Sequence, residues 1–202
     1  MKRILLVRHG ESEWNSARRL QGQADIELSA RGREQAMQLR ATIDALAPDV
    51  ALTSDLKRAR ETAVLLGHAD AVRLTALREI NVGAWTGVPI GELAAAEGGG
   101  YRDWRAGIFT PPGGEGWDAF VDRTTAAVTG AYRQGAERLL VVCHGGVIRA
   151  LMQSLIGLPP HRMVPVAPAS LSILAVRGAN QTDIRLELLN FSPAGPVLDA
   201  PD

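Results

Sequence analysis

Two short apolar runs constrain this chain more than any other feature. Ile4–Val7 and Leu139–Cys143 are continuous hydrophobic stretches, and each leads directly into a histidine and a glycine. The first continues as Arg8-His9-Gly10, the second as His144-Gly145-Gly146. An unbroken apolar run bounded by polar residues is the pattern of a strand covered on both faces, as in the middle of a parallel sheet. If the two strands are parallel and adjacent, both histidines emerge at the same edge. That is the carboxyl edge, where ligands bind in such folds. The chain has four histidines. Packing alone does not explain why two of them follow the two most apolar strands.

The rest of the pattern supplies helices between strands. Ala36, Leu39, Ile43 and Leu46 recur at spacings of three and four, which predicts a helix over 30–47 with Ser29 as N-cap and Pro48 as its stop. Val50–Leu52 reads as a brief strand. A helix follows, capped by Ser54 or Asp55, with Leu56, Ala59, Ala63 and Leu66 on one face and Arg58 in its first turn. Residues 80–116 carry glycines, prolines and the aromatic residues Trp85, Tyr101, Trp104 and Phe109. They read as a lid-like excursion over one end of the sheet, with a short helix near 89–96. Glu115–Arg133 is helical again, with Trp117, Phe120, Val121, Thr124 and Val128 on one side. A further helix after Gly146 buries Val147, Ile148, Leu151, Met152 and Leu155. Strands are expected at 171–177 and 184–190, and an exposed, flexible tail from 193. The expected architecture is α/β: a three-layer α/β/α sandwich with a mostly parallel central sheet, formed by one catalytic domain over 1–202.

Composition narrows the function classes. Lys+Arg and Asp+Glu both total 22, so nothing points to a broad nucleic-acid or anionic-membrane surface. The single cysteine, Cys143, rules out an internal disulfide framework. It reads as a small buried hydrophobe at a strand end. Met1-Lys2-Arg3 precedes only a short apolar run, too short for a signal-peptide core or a membrane span. A cytoplasmic location is therefore expected. The strand at 184–190 is an edge with which a second copy could pair, so a homodimer is a candidate assembly.

Each candidate site residue has a plain alternative. His9 and His144 as core residues would need partners for both ring nitrogens. As metal ligands they would need a third and fourth donor. His68 lies at a helix end and His161 in a loop, and no carboxylate spacing completes a set, so no metal is expected. Arg8 follows a buried strand and must find a counter-charge nearby. Guanidinium forks match phosphate oxygens. By spacing alone Arg58 reads first as an exposed, salt-bridged helix residue and only second as an anion clamp, and Glu79 by pattern alone is one glutamate among many. Trp85 and Trp104 suit either a pocket wall or the core. Trp14 is expected under the loop after the first strand, and Trp117 on its helix's buried face.

An ordered set of motifs decides among these alternatives. Arg8-His9-Gly10-Glu11-Ser12-Glu13-Trp14-Asn15 is followed by Gln21-Gly22 with Asp25, Leu28-Ser29, Gly32 and Gln35-Ala36. Then come Ser54-Asp55-Leu56-Lys57-Arg58-Ala59, Thr62-Ala63, Leu77-Arg78-Glu79, Gly83-Ala84-Trp85-Thr86-Gly87, Gly114-Glu115 and His144-Gly145-Gly146. Over residues 3–160 this resembles the histidine phosphatase superfamily, in its phosphoglycerate mutase-like branch. The resemblance implies that His9 is the phosphorylated nucleophile. It also implies that Arg8, Arg58 and His144 form the phosphate pocket, with Asn15 as a further donor, and that Glu79 is the general acid and base. Gln21, Gly22 and Gly145 join Arg8, Asn15, Arg58 and His144 as expected substrate contacts. Two positions depart from the family pattern. Gly116 replaces the usual Ser or Thr at a helix start, and Glu27 replaces a proline, which puts a negative charge near the pocket mouth.

Imidazole is an effective nucleophile near neutral pH. One ring nitrogen of His9 is expected to attack phosphorus while the other is held by a backbone carbonyl, which fixes the tautomer. The arginines and His144 take the electrostatic role of a divalent ion, so no cofactor is expected. The implied activity is metal-independent hydrolysis of a small phosphorylated metabolite through a covalent phosphohistidine. The alternatives are a cofactor-dependent phosphoglycerate mutase and, more remotely, a non-catalytic interaction domain. The excursion offers only Arg102 and Arg105 as basic residues for a second anionic group, which favours the phosphatase.

Overall fold

In the computed structural model, residues 2–178 and 182–196 are described. Strands β1 (Lys2–Arg8), β2 (Val50–Ser54), β3 (Val72–Leu74), β4 (Arg138–Cys143), β5 (Leu171–Arg177) and β6 (Asp183–Phe191) form one sheet. Its order is β3-β2-β4-β1-β5-β6. The first four strands are mutually parallel; β5 is antiparallel to β1, and β6 is antiparallel to β5. The helices are α1 (Glu13–Ser16), α2 (Ala30–Leu46), α3 (Lys57–Leu65), α4 (Ile90–Ala95), α5 (Gly100–Arg105), α6 (Trp117–Arg133) and α7 (Gly145–Ile156).

The apolar runs of β1 and β4 are buried on both faces because alternate residues feed two cores. Leu5, Val7, Leu140 and Val142 pack with Leu39 and Ile43 of α2 and Ala63 and Leu66 at α3. Ile4, Leu6, Leu139, Val141 and Cys143 pack on the other side with Phe120 and Val128 of α6 and Val147, Ile148 and Leu151 of α7. The result is a three-layer α/β/α sandwich. Ser29 caps α2 through the Gly32 N–H at 3.1 Å, and the helix ends at Leu46, with Ala47 left-handed (φ 46°) just before Pro48.

Several local expectations need correction. Neither Ser54 nor Asp55 caps α3. Its N-cap is Leu56, without a side-chain cap bond, because the Asp55 carboxylate is forked by Arg78 at 2.8 and 2.6 Å. Strand β3 and helix α5 have no counterpart in the sequence pattern. His161 sits in a 3₁₀ turn, Pro160–Arg162, rather than a loop. Of the tail expected from 193, residues 193–194 form a turn, closed by the Gly195 N–H on the Ser192 carbonyl (3.1 Å), while 197–202 lie outside the described residues. Among the described residues no helix is long and apolar enough to cross a membrane.

Candidate active site

The register of β1 on β4 pairs Arg8 with Cys143, so His9 and His144 leave the sheet side by side. The His9 N–H donates to the Cys143 carbonyl (2.9 Å), and the His9 carbonyl accepts from Ala169 (3.1 Å). The backbone of the histidine is thereby fixed between two neighbouring segments. The two imidazoles meet edge-on with centroids 5.1 Å apart. Nδ1 of His9 lies 2.7 Å from the Gly10 carbonyl. A carbonyl can only accept, so Nδ1 carries the proton and the lone pair resides on Nε2. Burial, reinforced by Arg58 and Arg8, holds His9 well below the ordinary imidazole range. The ring is neutral at physiological pH.

Arg58, from the first turn of α3, is fully buried. Its Nε–H donates to His9 Nε2 at 3.2 Å, and its two terminal nitrogens donate to the carbonyls of Ala24 and Gly22 at 2.6 and 2.8 Å. Desolvation pulls it down to about 10, opposed by Glu79 and Asp25, so it stays charged. Gly22 presents its carbonyl from a left-handed conformation (φ +52°), where a Cβ would also strike Val82 at 2.7 Å. Thr62 ties α3 to the nucleophile loop, accepting from the Gly10 N–H (3.1 Å) and donating to the Arg58 carbonyl (2.7 Å). Arg8 donates to the Val166 carbonyl at 2.5 Å.

Glu79 reaches the same edge from the segment after β3. Its Oε1 accepts from the Ile80 N–H (2.8 Å) and its Oε2 from the Gly146 N–H (2.9 Å). A Cβ on Gly146 would run into that carboxylate and displace it.

These groups line one cavity of about 600 Å³, counting its open mouth. Of the residues expected from the sequence, Arg8, His9, Gln21, Gly22, Arg58, Glu79 and Gly145 line it. His144 and Asn15 are not on its wall; both are buried. The Asn15 oxygen accepts from the Ser12 N–H (3.1 Å) and the Ser12 hydroxyl from the Asn15 N–H (3.1 Å) in a capping box, and the one hydroxyl proton of Ser12 is directed at Gln21, 2.7 Å away. His144 is fully buried, and neither ring nitrogen has a hydrogen-bond partner. Native proteins rarely leave such groups unpaired; an ordered water or a ligand satisfies them. Burial, Arg58, His9, Arg8 and Arg123 all lower its pKa.

The sequence pattern did not reveal Arg149 or the apolar wall. Arg149 lines the cavity from α7, its guanidinium lying over the rings of Trp117 and Trp104 at 5.0 and 5.5 Å. An arginine inside an otherwise apolar helical stretch was the available signal. Trp104 and Arg105 join from the excursion, with Leu20, Ile80, Val82 and Met163–Val166 as further wall. Trp104 packs against Trp85 and Tyr101, so it is both core and cavity wall. Trp85 does not line the cavity. The Trp14 ring lies beside Gly87, where a Cβ would stand 3.2 Å from it, and Trp117 is buried with its indole N–H on Gln153 (2.8 Å). Gly116 caps α6 without a side-chain bond. Glu27 does not line the cavity and pairs with Lys57 at 3.3 Å. Among the described residues no cluster of His, Cys, Asp and Glu could hold a metal ion.

Comparison with known proteins identifies the family and the fold. The family model for the histidine phosphatase superfamily (branch 1) matches residues 4–190. A glucosyl-3-phosphoglycerate phosphatase of Mycolicibacterium vanbaalenii is 37% identical, covering 79% of this chain and 76% of its own. A protein named probable phosphoglycerate mutase GpmB, from Salmonella paratyphi C, is 36% identical over 79% and 77%. The solved structure of a mycobacterial glucosyl-3-phosphoglycerate phosphatase complexed with VO3 superposes with a TM-score of 0.86 at 31% identity. It covers 95% of this chain and 100% of that one.

Proposed function

The chain belongs to the histidine phosphatase superfamily, branch 1, and is a phosphatase of the histidine type; we propose that it hydrolyses phosphomonoesters of a small metabolite through a covalent phosphohistidine on His9, without a metal. The observation that carries this reading is the His9 tautomer. With Nδ1 held by the Gly10 carbonyl, the Nε2 lone pair is left facing Arg58, beside a cavity lined by Arg8 and Glu79.

In the first step Nε2 forms a bond to phosphorus as the bond to the leaving oxygen breaks, and Glu79 gives that oxygen a proton. The Arg58 Nε–H, which caps the lone pair before substrate arrives, turns to a phosphoryl oxygen. Arg8 and Arg58 then offset the charge on the equatorial oxygens. The orphaned ring nitrogens of His144 supply a further donor, and the Asn15 amide another. In the second step water attacks phosphorus, the N–P bond breaks, and Glu79 takes the proton of the water. Leu20, Ile80, Val82 and Trp104 form the wall for the leaving group, with Arg105 and Arg149 as its cations. Gln21, Gly22 and Gly145 complete the contacts.

A mutase is the second reading, supported by the name of the GpmB relative. Against it, Arg102 of the excursion pairs with Asp103 with its side chain 83% exposed, and only Arg105 of that segment's two arginines reaches the cavity. The test is hydrolysis of an aryl phosphate in excess chelator, with a quench for an acid-labile, alkali-stable phosphoryl label. Activity and label are expected in the native protein and absent in His9→Ala. A His9→Ala variant with full activity overturns the nucleophile. Interconversion of 3- and 2-phosphoglycerate faster than phosphate release overturns the choice of phosphatase.

A further inference from the structure

We infer that Arg123 on α6, paired with Glu115, is a positioning residue that holds Glu79 in place for proton transfer; this rests on the acid–base role proposed for Glu79. Arg123 is far from His9 in sequence and does not line the cavity. All five of its N–H donors are nevertheless matched. Nε and Nη2 fork the Glu115 carboxylate at 2.6 and 2.8 Å. Nη1 donates to the carbonyls of Ala76 and Arg78 at 2.8 and 2.9 Å, and Nη2 to that of Glu79 at 3.1 Å. A guanidinium has five such donors in a rigid plane, so this one is saturated, with three of its bonds directed at the four residues that end in Glu79.

The surroundings make the clamp specific. Gln23 donates to the same Glu79 carbonyl at 3.1 Å, and Arg78 is pinned by Asp55. Glu115 also accepts from the Asn81 N–H (3.2 Å), and its own N–H donates to the Asn81 carbonyl (2.8 Å). The excursion therefore leaves the core at Asn81 and rejoins it at Glu115 through a single junction built on Arg123. The arginine itself is braced over the Phe120 ring at 4.8 Å. Among the described residues no other side chain fixes the 76–79 backbone so completely, and the Glu79 carboxylate has one donor from outside its own segment, Gly146. A shift of the backbone would move the carboxylate off the leaving oxygen while the phosphate groups on β1, α3 and β4 stayed in place.

The test separates proton transfer from general damage. Arg123→Met, Arg123→Lys and Glu115→Gln are compared with native protein and Glu79→Gln on two esters. One is an alkyl phosphate, whose leaving group needs a proton; the other is a nitrophenyl phosphate, whose leaving group does not. Arg123→Met is expected to lower kcat on the alkyl ester roughly 10- to 100-fold, the scale of a 1 Å misplacement. The loss on the aryl ester should be several times smaller, and inhibition by inorganic phosphate should stay near the native level. Arg123→Lys, with a point charge instead of a fork, should recover part of the loss. Where Arg123→Met fails to fold by circular dichroism, Glu115→Gln and Arg123→Lys are read in the same way. Equal losses on both esters, with Glu79→Gln showing the leaving-group dependence, overturn the positioning role alone. No such dependence in Glu79→Gln itself overturns the acid role and this inference with it.

Discussion

Replacing Gly146 by alanine attacks Glu79 from the side opposite the Arg123 clamp. The Gly146 N–H donates to Glu79 Oε2 at 2.9 Å. A Cβ on residue 146 would stand 2.9 Å from the carboxyl carbon and 3.1 Å from Oε2, and closer still to Oε1. The first turn of α7 cannot retreat, because Val147 and Ile148 are fully buried beside it. The carboxylate must move instead. Losing a hydrogen bond to a charged acceptor costs about 1.5–3 kcal/mol, and the better helix propensity of alanine returns up to about 1 kcal/mol. The net penalty is at most about 3 kcal/mol, or a fall in Tm of at most about 12 °C for a chain of this size. The kinetic effect should be far larger. General acid–base assistance contributes roughly 10²–10⁴-fold, and a displacement on the ångström scale forfeits about 10²-fold of it. Thermal melts and steady-state kinetics on an alkyl phosphate should therefore show a folded protein with kcat down about a hundredfold. In a Glu79→Gln background the same change should add little, since both act through one group. A Gly146→Ala enzyme with kcat within about twofold of native, or a fully additive double variant, refutes the reasoning.

Acidification should destabilise the fold through its two buried histidines. Both are held well below the ordinary range, first by burial and then by the nearby arginines. The unfolded chain therefore takes up protons near pH 6.5 that the native state refuses, and stability present above that pH is lost below it, by up to about 1.4 kcal/mol per pH unit for each histidine. Urea midpoints between pH 7.5 and 5 should fall less steeply in His144→Asn, and parallel slopes would show that His144 is not the source. Arg58→Lys should lower kcat/KM by about 10²–10³-fold, the usual loss of one donor to transition-state charge, because one ammonium cannot span His9, Ala24 and Gly22 as the fork does. Native-like phosphate binding by that variant would remove Arg58 from the pocket. The Cys143 thiol is fully buried and pushed up strongly by desolvation, so iodoacetamide should modify it only after denaturation; rapid native-state alkylation with loss of activity would contradict its packing role.

What the sequence made legible follows from how local each cause is. The strands of His9 and His144 were visible because a strand buried on both faces must be apolar throughout, α2 and α6 because one buried face repeats at the helical period, and α7 because it is a long apolar run, buried continuously from Gly146 to Met152. The invisible elements lack any local cause. Strand β3 is three residues long with an exposed valine and arginine, and it exists only because β2 offers it an edge. Helix α5 is two turns at most, anchored from outside by Trp104 against Trp85, and its one internal ring pair, Tyr101–Trp104, is too short a pattern to announce a periodicity. Asp55 looked like a cap because its position suits one, but a distant arginine takes its carboxylate.

The site divides along the same line. His9, Arg58 and Glu79 sit in short motifs whose neighbours help to hold them. Gly10 holds the His9 ring, Thr62 holds the Arg58 turn, and Ile80 holds the Glu79 carboxylate. Arg123 and Arg149 are held differently. On a helical wheel the first is one charge on a half-polar helix, and the second an interruption in an apolar one. Glu115 and Phe120 brace Arg123 from nearby, but the backbone carbonyls it clamps lie 44 to 47 residues away, and the ring partners of Arg149 are on two other helices. A residue that acts through backbone carbonyls leaves no side-chain motif at the far end, since any sequence can supply a carbonyl. The reacting groups of such a fold can therefore be read from a single chain, whereas the residues that aim them emerge only when each buried donor is assigned its acceptor.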